Sequence, residues 1–265
     1  MTDAAITPQA FTPAGATPKM PRQKLQPLRA LRAIRRLVAD KDDTQQVFEI
    51  MQSMNGDSTA QGYRRLLTSA EGGRQAYMRV ELNDLLNDRA WVDAFAPGTV
   101  GAAYRHFTRS EGLTSEGLAE ESRIAAERRG IKLELEHPMA WFGRRIRDTH
   151  DIWHTLTGYG RDGLGELCLV AFSFGQTRSL GWAVIAVGGM LSALRLPGGM
   201  RVVRAVFRAW KDGRNAAWLP GQDYERLLNE PVDAARKRLN IATPELYLAV
   251  PEAWRTNPLA APAMA

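Results

Sequence analysis

The stretch HPMAWFGRRIRDTHDIWHTLTGYGRDGLGE, residues 137–166, decides how the chain folds around its polar centre. Proline is tolerated in the first turn of a helix, so a helix over 139–157 can start at Pro138. Along it Met139, Phe142, Ile146, Trp153 and Thr157 recur at helical spacing and predict one buried stripe. His150 falls on that stripe, and His154, one turn later, falls at its edge. Gly158 predicts the stop and GYGRDG (158–163) a turn. Asp162 or Gly163 then caps a second helix that carries Glu166 in its first turn. His154 lies one turn before the corner and Glu166 one turn after it. A tight helical hairpin brings such ends face to face.

The helical pattern continues outward in both directions. LQPLRALRAIRRLV (25–38) spaces Leu28, Leu31, Ile34 and Val38 along one face with arginines between, and Leu37 widens the stripe. DDTQQVFEIMQSM (42–54) opens on the cap residues Asp43 or Thr44 and stops at Asn55-Gly56. Further helices are expected over 58–69, 81–95, 99–109, 115–129, 164–176, 179–195, 200–212 and 222–239, with Gly or Pro at most junctions. Only KLELE (132–136) alternates like a strand, and one short strand makes no sheet. No fixed-period repeat or heptad run is present, which argues against a solenoid or coiled coil. The expected fold class is all-α. A single multi-helix domain over 22–265, with a metal site at the helical hairpin, follows a flexible Thr-, Ala- and Pro-rich tail over 1–21. That tail lacks the pattern of a secretory signal or a mitochondrial transit peptide.

With 265 residues, 45% of them hydrophobic, the chain can bury a real core. Cys168 is the one cysteine, so an internal disulfide and a four-cysteine zinc site are excluded and a reducing compartment is expected. Any metal must be held mainly by His, Asp and Glu. The balance of 35 Lys+Arg against 29 Asp+Glu gives a net charge of +6, which favours an anionic partner. No homeodomain, RNP, zinc-finger or GXXG pattern is present, so nucleic acid is not expected and a membrane surface is.

Two segments bear on that surface. LGWAVIAVGGMLSAL (180–194) would cover about 22 Å as a helix, short of the roughly 30 Å hydrocarbon core. It reads as a buried core helix or as one that faces lipid at a surface. RVVRAVFRAWKDGR (201–214) puts Arg201, Arg204, Arg208 and Lys211 on one face and Val203, Val206, Phe207 and Trp210 on the other. A basic amphipathic helix of this kind suits a membrane surface, or equally a surface helix packing its apolar face on the core.

His150 and His154 are two of the chain's 4 histidines. Imidazoles four apart stack on one helix face, the spacing used for two ligands of one metal ion. Asp151 is rotated about 60° from His154 and can be a ligand or an outer partner. HxxxH alone often occurs by accident, and the helix dipole alone favours an acid at Glu166. The acid across a Gly-rich corner strengthens the metal reading. His106 and His137 have no ligand-spaced partner and read as structural. Tyr104, Tyr159 and Arg161 could line a substrate path, although Tyr159-Gly160 also suits a plain turn. Cys168 reads as a small core residue.

The run His150-Asp151-x-x-His154 followed by Glu166 resembles the signature of the ubiquinone (coenzyme Q) biosynthesis protein 4 family. DDTQQVFEIMQSMNG (42–56), EGGRQAY (71–77), APGTVGAAYRHF (96–107), RRIRDTHDIWHTLTGYGRDGLGELCLVAFSFGQT (144–177) and AAWLPGQDYERLLNEPVDAARKRLNI (216–241) are similar to further blocks of that family. Arg79-Val80 stands where family members often carry an arginine-proline pair. The resemblance implies an all-helical protein of ubiquinone synthesis at a membrane face, with His150, Asp151, His154 and Glu166 holding one divalent metal. Zinc is the usual assignment, and two histidines with a carboxylate also suit iron. It further implies oxidative decarboxylation at ring carbon C1 of a polyprenylated hydroxybenzoate, hydroxyl replacing carboxylate, with Asp151 able to relay a proton. The expected location is the cytoplasm, peripheral on the inner face of the cytoplasmic membrane. Other ubiquinone-biosynthesis proteins are compatible partners, as is a second copy of the chain. A lipid-binding scaffold with a structural metal is the alternative function. A phosphohydrolase of the His-Asp type is weaker, since such sites need further histidines and only His106 and His137 remain.

Overall fold

The structure is a computed structural model that describes residues 24–39, 44–127 and 137–256. The tail 1–21 and KLELE at 132–136 lie outside the described residues. In chain order the helices are α1 (Pro27–Ala39), α2 (Thr44–Met54), α3 (Ser58–Leu66), α4 (Ala70–Met78), α5 (Leu82–Asn87) and α6 (Arg89–Asp93). There follow α7 (Val100–Ser110), α8 (Ser115–Glu127), α9 (Pro138–Asp148), α10 (His150–Thr157), α11 (Gly163–Thr177), α12 (Leu180–Ala193) and α13 (Gly199–Asn215). A 3-10 turn at Leu219–Gly221 precedes α14 (Tyr224–Leu228), α15 (Val232–Leu239), α16 (Glu245–Leu248) and α17 (Glu252–Thr256). Among the described residues no strand forms, and β pairing is limited to an isolated bridge between Thr99 and Pro231. The expected all-α, single-domain class is what the chain adopts.

α11 is the axis of the fold. Leu164, Leu169 and Phe172 on it, Ile152 and Leu156 on α10, and Val202, Val206 and Ala209 on α13 belong to one continuous buried core. The α11–α13 crossing is closest at Gly213, where an added Cβ would stand 2.3 Å from the Phe172 carbonyl oxygen. Glycine is there because two backbones touch. A smaller cluster of Leu66, Ala76, Trp141 and Phe142 joins α3, α4 and α9.

Several expected helices are divided. The helix foreseen over 139–157 is two, α9 and α10, separated at Thr149. The Thr149 hydroxyl donates back to the Ile146 carbonyl at 2.9 Å, a bond that competes with the helical ladder. Asp88 divides the expected 81–95 segment, its carboxylate capping α6 by accepting from the Ala90 and Trp91 amides at 2.9 and 3.2 Å. Pro231 separates α14 from α15, as a residue without an amide proton should. α4 was not anticipated because Gly72-Gly73 lowers its helical propensity. Its start is set by Ser69, which accepts from the Gly72 amide at 3.1 Å.

Burial departs from the expected stripes in three helices. In α1 the buried residues are Ala30 and Ala33, whereas Leu28 is 73% exposed and Leu31 is exposed as well. Small residues let α1 approach α2 closely and leave the leucines facing out. In α12 only Gly181, Ala186 and Ala193 are buried, and Leu180, Val187 and Leu191 are exposed, so the core-helix reading fails along one side. α13 packs on the core, burying Val202, Ala205, Val206 and Ala209, while Phe207 is exposed. No described helix is long and apolar enough to cross a membrane.

Candidate functional site

The α10–α11 corner is built from local chemistry and pinned from a distance. Gly158 ends α10 at φ 76°, its amide donating to the His154 carbonyl at 2.9 Å. Asp162 is the cap of α11, its Oδ1 accepting from the Gly165 amide at 2.9 Å. A Cβ on Gly165 would stand 2.0 Å from the Gly160 carbonyl oxygen, so only glycine lets the turn fold back on the helix. From α16 the Tyr247 hydroxyl donates to Asp162 Oδ2 and accepts from the Gly160 amide. Arg236 on α15 donates to the Leu156 carbonyl at 2.9 Å and the Thr155 carbonyl at 3.3 Å, at the end of α10 where a cation is favoured.

On this frame the expected residues converge. His150 Nδ1 and Asp151 Oδ1 are 3.1 Å apart, and a carboxylate only accepts, so that nitrogen carries the proton. His154 Nδ1 lies 2.9 Å from the Tyr159 carbonyl, which fixes the same tautomer. Both Nε2 lone pairs therefore point inward, toward one oxygen. Glu166 Oε2 is 3.4 Å from His154 Nε2 and 3.8 Å from His150 Nε2. His154 Nε2 is buried with no hydrogen-bond partner, since 3.4 Å between two acceptors is no bond. One ligand atom each from His150, Asp151 and His154 also lie within 4.8 Å of one another.

The electrostatics agree with this convergence. Burial would raise the Glu166 carboxyl, but with no metal bound the positive charge that His154 and His150 carry as imidazoliums, with Arg161, overcomes it and holds the group at about 2. Burial would also raise Asp151, and the hydrogen bond from His150 turns the shift downward. For His150 burial acts to lower the pKa, and the Asp151 hydrogen bond and the Glu166 charge raise it overall.

The donor set fits a divalent cation. Ligand atoms each about 2.0–2.2 Å from a tetrahedral ion stand roughly 3.3–3.6 Å from one another, close to the two imidazole–carboxylate separations. A buried imidazole lone pair aimed at a carboxylate is two acceptors facing each other, and a cation between them satisfies both. His150, His154 and Glu166 could hold it directly. Asp151 could ligate or could orient His150 as an outer partner.

The remaining expected residues divide. Arg161 borders the cluster, with Nε 3.4 Å from Glu166 Oε1. Tyr159 contributes its carbonyl rather than its ring, which is buried against Tyr247. Tyr104 is buried and does not reach the open cavity, so neither tyrosine ring lines a path there. His137 caps α9, accepting from the Met139 amide at 3.1 Å, and His106 is exposed. Cys168 is a core residue. The expected order of burial for the histidine pair is reversed, His154 being buried and His150 half-buried, because the break at Thr149 turns α10 relative to α9. Phe107 of α7 stacks on His154 with centroids 5.3 Å apart, a contact with no local signal in the chain.

The cluster opens into a cavity of about 1580 Å³. Asp151, Arg161 and Glu166 lie on its polar wall, and Leu37, Val47, Met51, Trp182 and Ile185 on its apolar wall.

Comparison with known proteins gives the chain its relatives. A family model described as "Coenzyme Q (ubiquinone) biosynthesis protein Coq4" matches residues 20–245. The chain is 28% identical over 173 residues to the Danio rerio "Ubiquinone biosynthesis protein COQ4 homolog, mitochondrial", covering 64% of this chain and 58% of that protein. It is 29% identical over 147 residues to the Nematostella vectensis protein of the same name, covering 54% of this chain and 66% of that protein. The chain therefore spans less than two thirds of the length of these curated relatives. A Nostoc punctiforme crystal structure described as a ubiquinone biosynthesis protein shares the fold, with a TM-score of 0.55 at 19% identity, covering 83% of this chain and 100% of that one. With the family model spanning most of its length, the chain belongs to the coenzyme Q (ubiquinone) biosynthesis protein Coq4 family.

Proposed function

We propose that the chain is a metal-dependent enzyme of ubiquinone synthesis. It carries out oxidative decarboxylation of a polyprenylated hydroxybenzoate at a membrane surface, the C1 carboxylate leaving as carbon dioxide and a hydroxyl taking its place, with dioxygen as the two-electron oxidant, one water consumed and hydrogen peroxide released. The observation that carries this reading is the buried His154 Nε2 lone pair facing the Glu166 carboxylate beside His150. Zinc or iron bound there would supply Lewis-acid polarisation of the ring's carboxylate or phenolate, and iron would add redox chemistry. The chain's own residues do the rest. Tyr159 and Asp151 hold the two imidazole tautomers. Arg161 offers a cation beside the cluster for the ring carboxylate, and Asp151 has spare carboxylate capacity to take a proton from the phenol. The apolar cavity wall suits the polyprenyl tail.

The membrane part rests on charge and exposure. Residues 167–211 contain no Asp or Glu, and neither do 24–39. These segments carry the exposed Leu28, Leu31, Val187, Leu191 and Phe207 beside Arg32, Arg35, Arg201 and Arg204. An apolar face rimmed by arginines and free of acids matches an anionic bilayer surface. On this reading the surface is the inner face of the cytoplasmic membrane, on whose reducing side a lone thiol such as Cys168 persists.

The deciding experiment is metal content by mass spectrometry, on purified protein beside His154→Ala prepared identically. About one equivalent of zinc or iron, lost in the variant while circular dichroism stays unchanged, supports the enzyme. No metal in either folded protein overturns it and leaves a lipid-binding organiser of other ubiquinone-biosynthesis proteins.

A further inference from the structure

His154 is the buried member of the histidine pair, and its outer nitrogen is held by a carbonyl rather than by a carboxylate. That carbonyl belongs to the peptide unit joining Tyr159 to Gly160. The other end of the same unit, the Gly160 N–H, donates to the Tyr247 hydroxyl oxygen at 3.0 Å. The Tyr247 hydroxyl donates in turn to Asp162 Oδ2. Imidazole, peptide, phenol and carboxylate thus form one series, each donating to the next and ending on a group that only accepts.

The series is fixed at its far end. Tyr247 is buried, its ring edge-on to that of Tyr159 with centroids 5.5 Å apart, and the Arg255 guanidinium carbon lies 5.1 Å from its ring centre. Burial, and then the Asp162 hydrogen bond, push the Tyr247 hydroxyl up to about 12, so it remains a protonated donor. Asp162 is held by its other oxygen, which accepts from the Gly165 amide at 2.9 Å in the cap of α11. A Cβ on Gly160 would stand 2.7 Å from Tyr247 Oη and 3.0 Å from Asp162 Oδ2, so phenol and carboxylate fit flush against a residue without a side chain. Packing on Tyr159 accounts for an aromatic ring at 247, and phenylalanine would supply it. The hydroxyl is what the corner uses. Hydrogen bonds in series polarise one another. A metal-bound imidazole is oriented, and made a stronger donor, when its other N–H leads to a carboxylate. Asp151 stands in that place for His150 directly, at 3.1 Å.

We propose that Tyr247 is a positioning residue of the metal centre. It links the Asp162 carboxylate to the 159–160 peptide unit and so holds His154 in the tautomer and orientation that aim Nε2 at the ion. The effect on the ion rests on the metal-enzyme reading; the hydrogen-bonded series itself does not.

Two measurements on the full chain test this, comparing wild type with Tyr247→Phe, Asp162→Asn and Gly213→Ala. Tyr247→Phe keeps the ring and removes the link. Asp162→Asn keeps a helix-capping side chain and removes the charge that ends the series. Gly213→Ala strains the α11–α13 crossing, away from the corner. The first measurement is zinc affinity by competition with a chromogenic chelator. About a tenfold or greater weakening is expected in the first two variants, and wild-type affinity in folded Gly213→Ala. The second is nitrogen-15 NMR of the metal-free protein. Wild-type His154 should show a protonated Nδ1, and both corner variants a shifted Gly160 amide and a faster-exchanging Nδ1 proton. Unchanged zinc affinity in folded Tyr247→Phe overturns the role, as does an equal loss in Gly213→Ala. A wild type that binds neither zinc nor ferrous iron sinks the enzyme reading alone. The NMR signals then decide, and a His154 indifferent to both corner substitutions overturns the role. Should Tyr247→Phe not fold, Asp162→Asn decides by the same criteria.

Discussion

At the scale of single residues, the site turns on which nitrogen of each imidazole is protonated. Asp151 and the Tyr159 carbonyl make that choice, and Glu166 meets the result as an anion. Its carboxyl is held at about 2, against an ordinary 4.5. The folded state thus binds fewer protons than the unfolded one between those values. The stability this contributes is present above pH 4.5 and disappears as pH falls toward about 2. In chelator-treated protein, Glu166→Gln should show a shallower fall of the urea midpoint over that range than wild type. A third of the Glu166 side chain is exposed, so solvent screening keeps the difference small. Gly165→Ala probes the corner itself. A Cβ 2.0 Å from the Gly160 carbonyl oxygen must push turn and helix apart. It should cost about 1–3 kcal/mol, roughly 2–12 °C in Tm, with loss of bound metal because Glu166 swings away.

At the scale of elements, the crossing of α11 and α13 carries the core and the break at Thr149 aims the histidines. Gly213→Ala places a methyl against the Phe172 carbonyl oxygen and should splay the crossing. The expected destabilisation is again about 1–3 kcal/mol by thermal melting. Because the substitution acts on α13 rather than on the hairpin corner, bound metal should persist in the folded fraction. Much of the hairpin was legible beforehand, since capping, glycine stops and four-residue spacing are local properties of the chain. Asp162 as cap, Gly158 as stop and Glu166 in the first turn are all where local rules put them. The division at Thr149 was not legible: a mid-helix threonine is ordinary, and its back-bond to Ile146 is chosen by the packing around it.

At the scale of the whole molecule, the acid-free helices α1 and α12 and the acid-free stretch 199–211 of α13 give one side of the protein its character. Val187 and Leu191 are 48% and 55% exposed. Replacing both by glutamate removes no core contact and should leave Tm within about 1–2 °C, surface changes being worth under about 0.5 kcal/mol. The same double variant should lose most of its flotation with phosphatidylglycerol vesicles. Equal flotation of variant and wild type would remove α12 from the membrane contact.

By itself the sequence determined the all-helical class, the hairpin at 137–166 and the company of His150, Asp151, His154 and Glu166, because periodicity, caps and corners act over a few residues. Only the tertiary structure decided what covers what. It left Leu28, Leu31 and one side of α12 outside, and brought Phe107 onto His154 and Tyr247 onto the corner. These outcomes follow from contacts between segments far apart in the chain. Burial of an apolar residue depends on which neighbour arrives, and its own helix does not encode that neighbour.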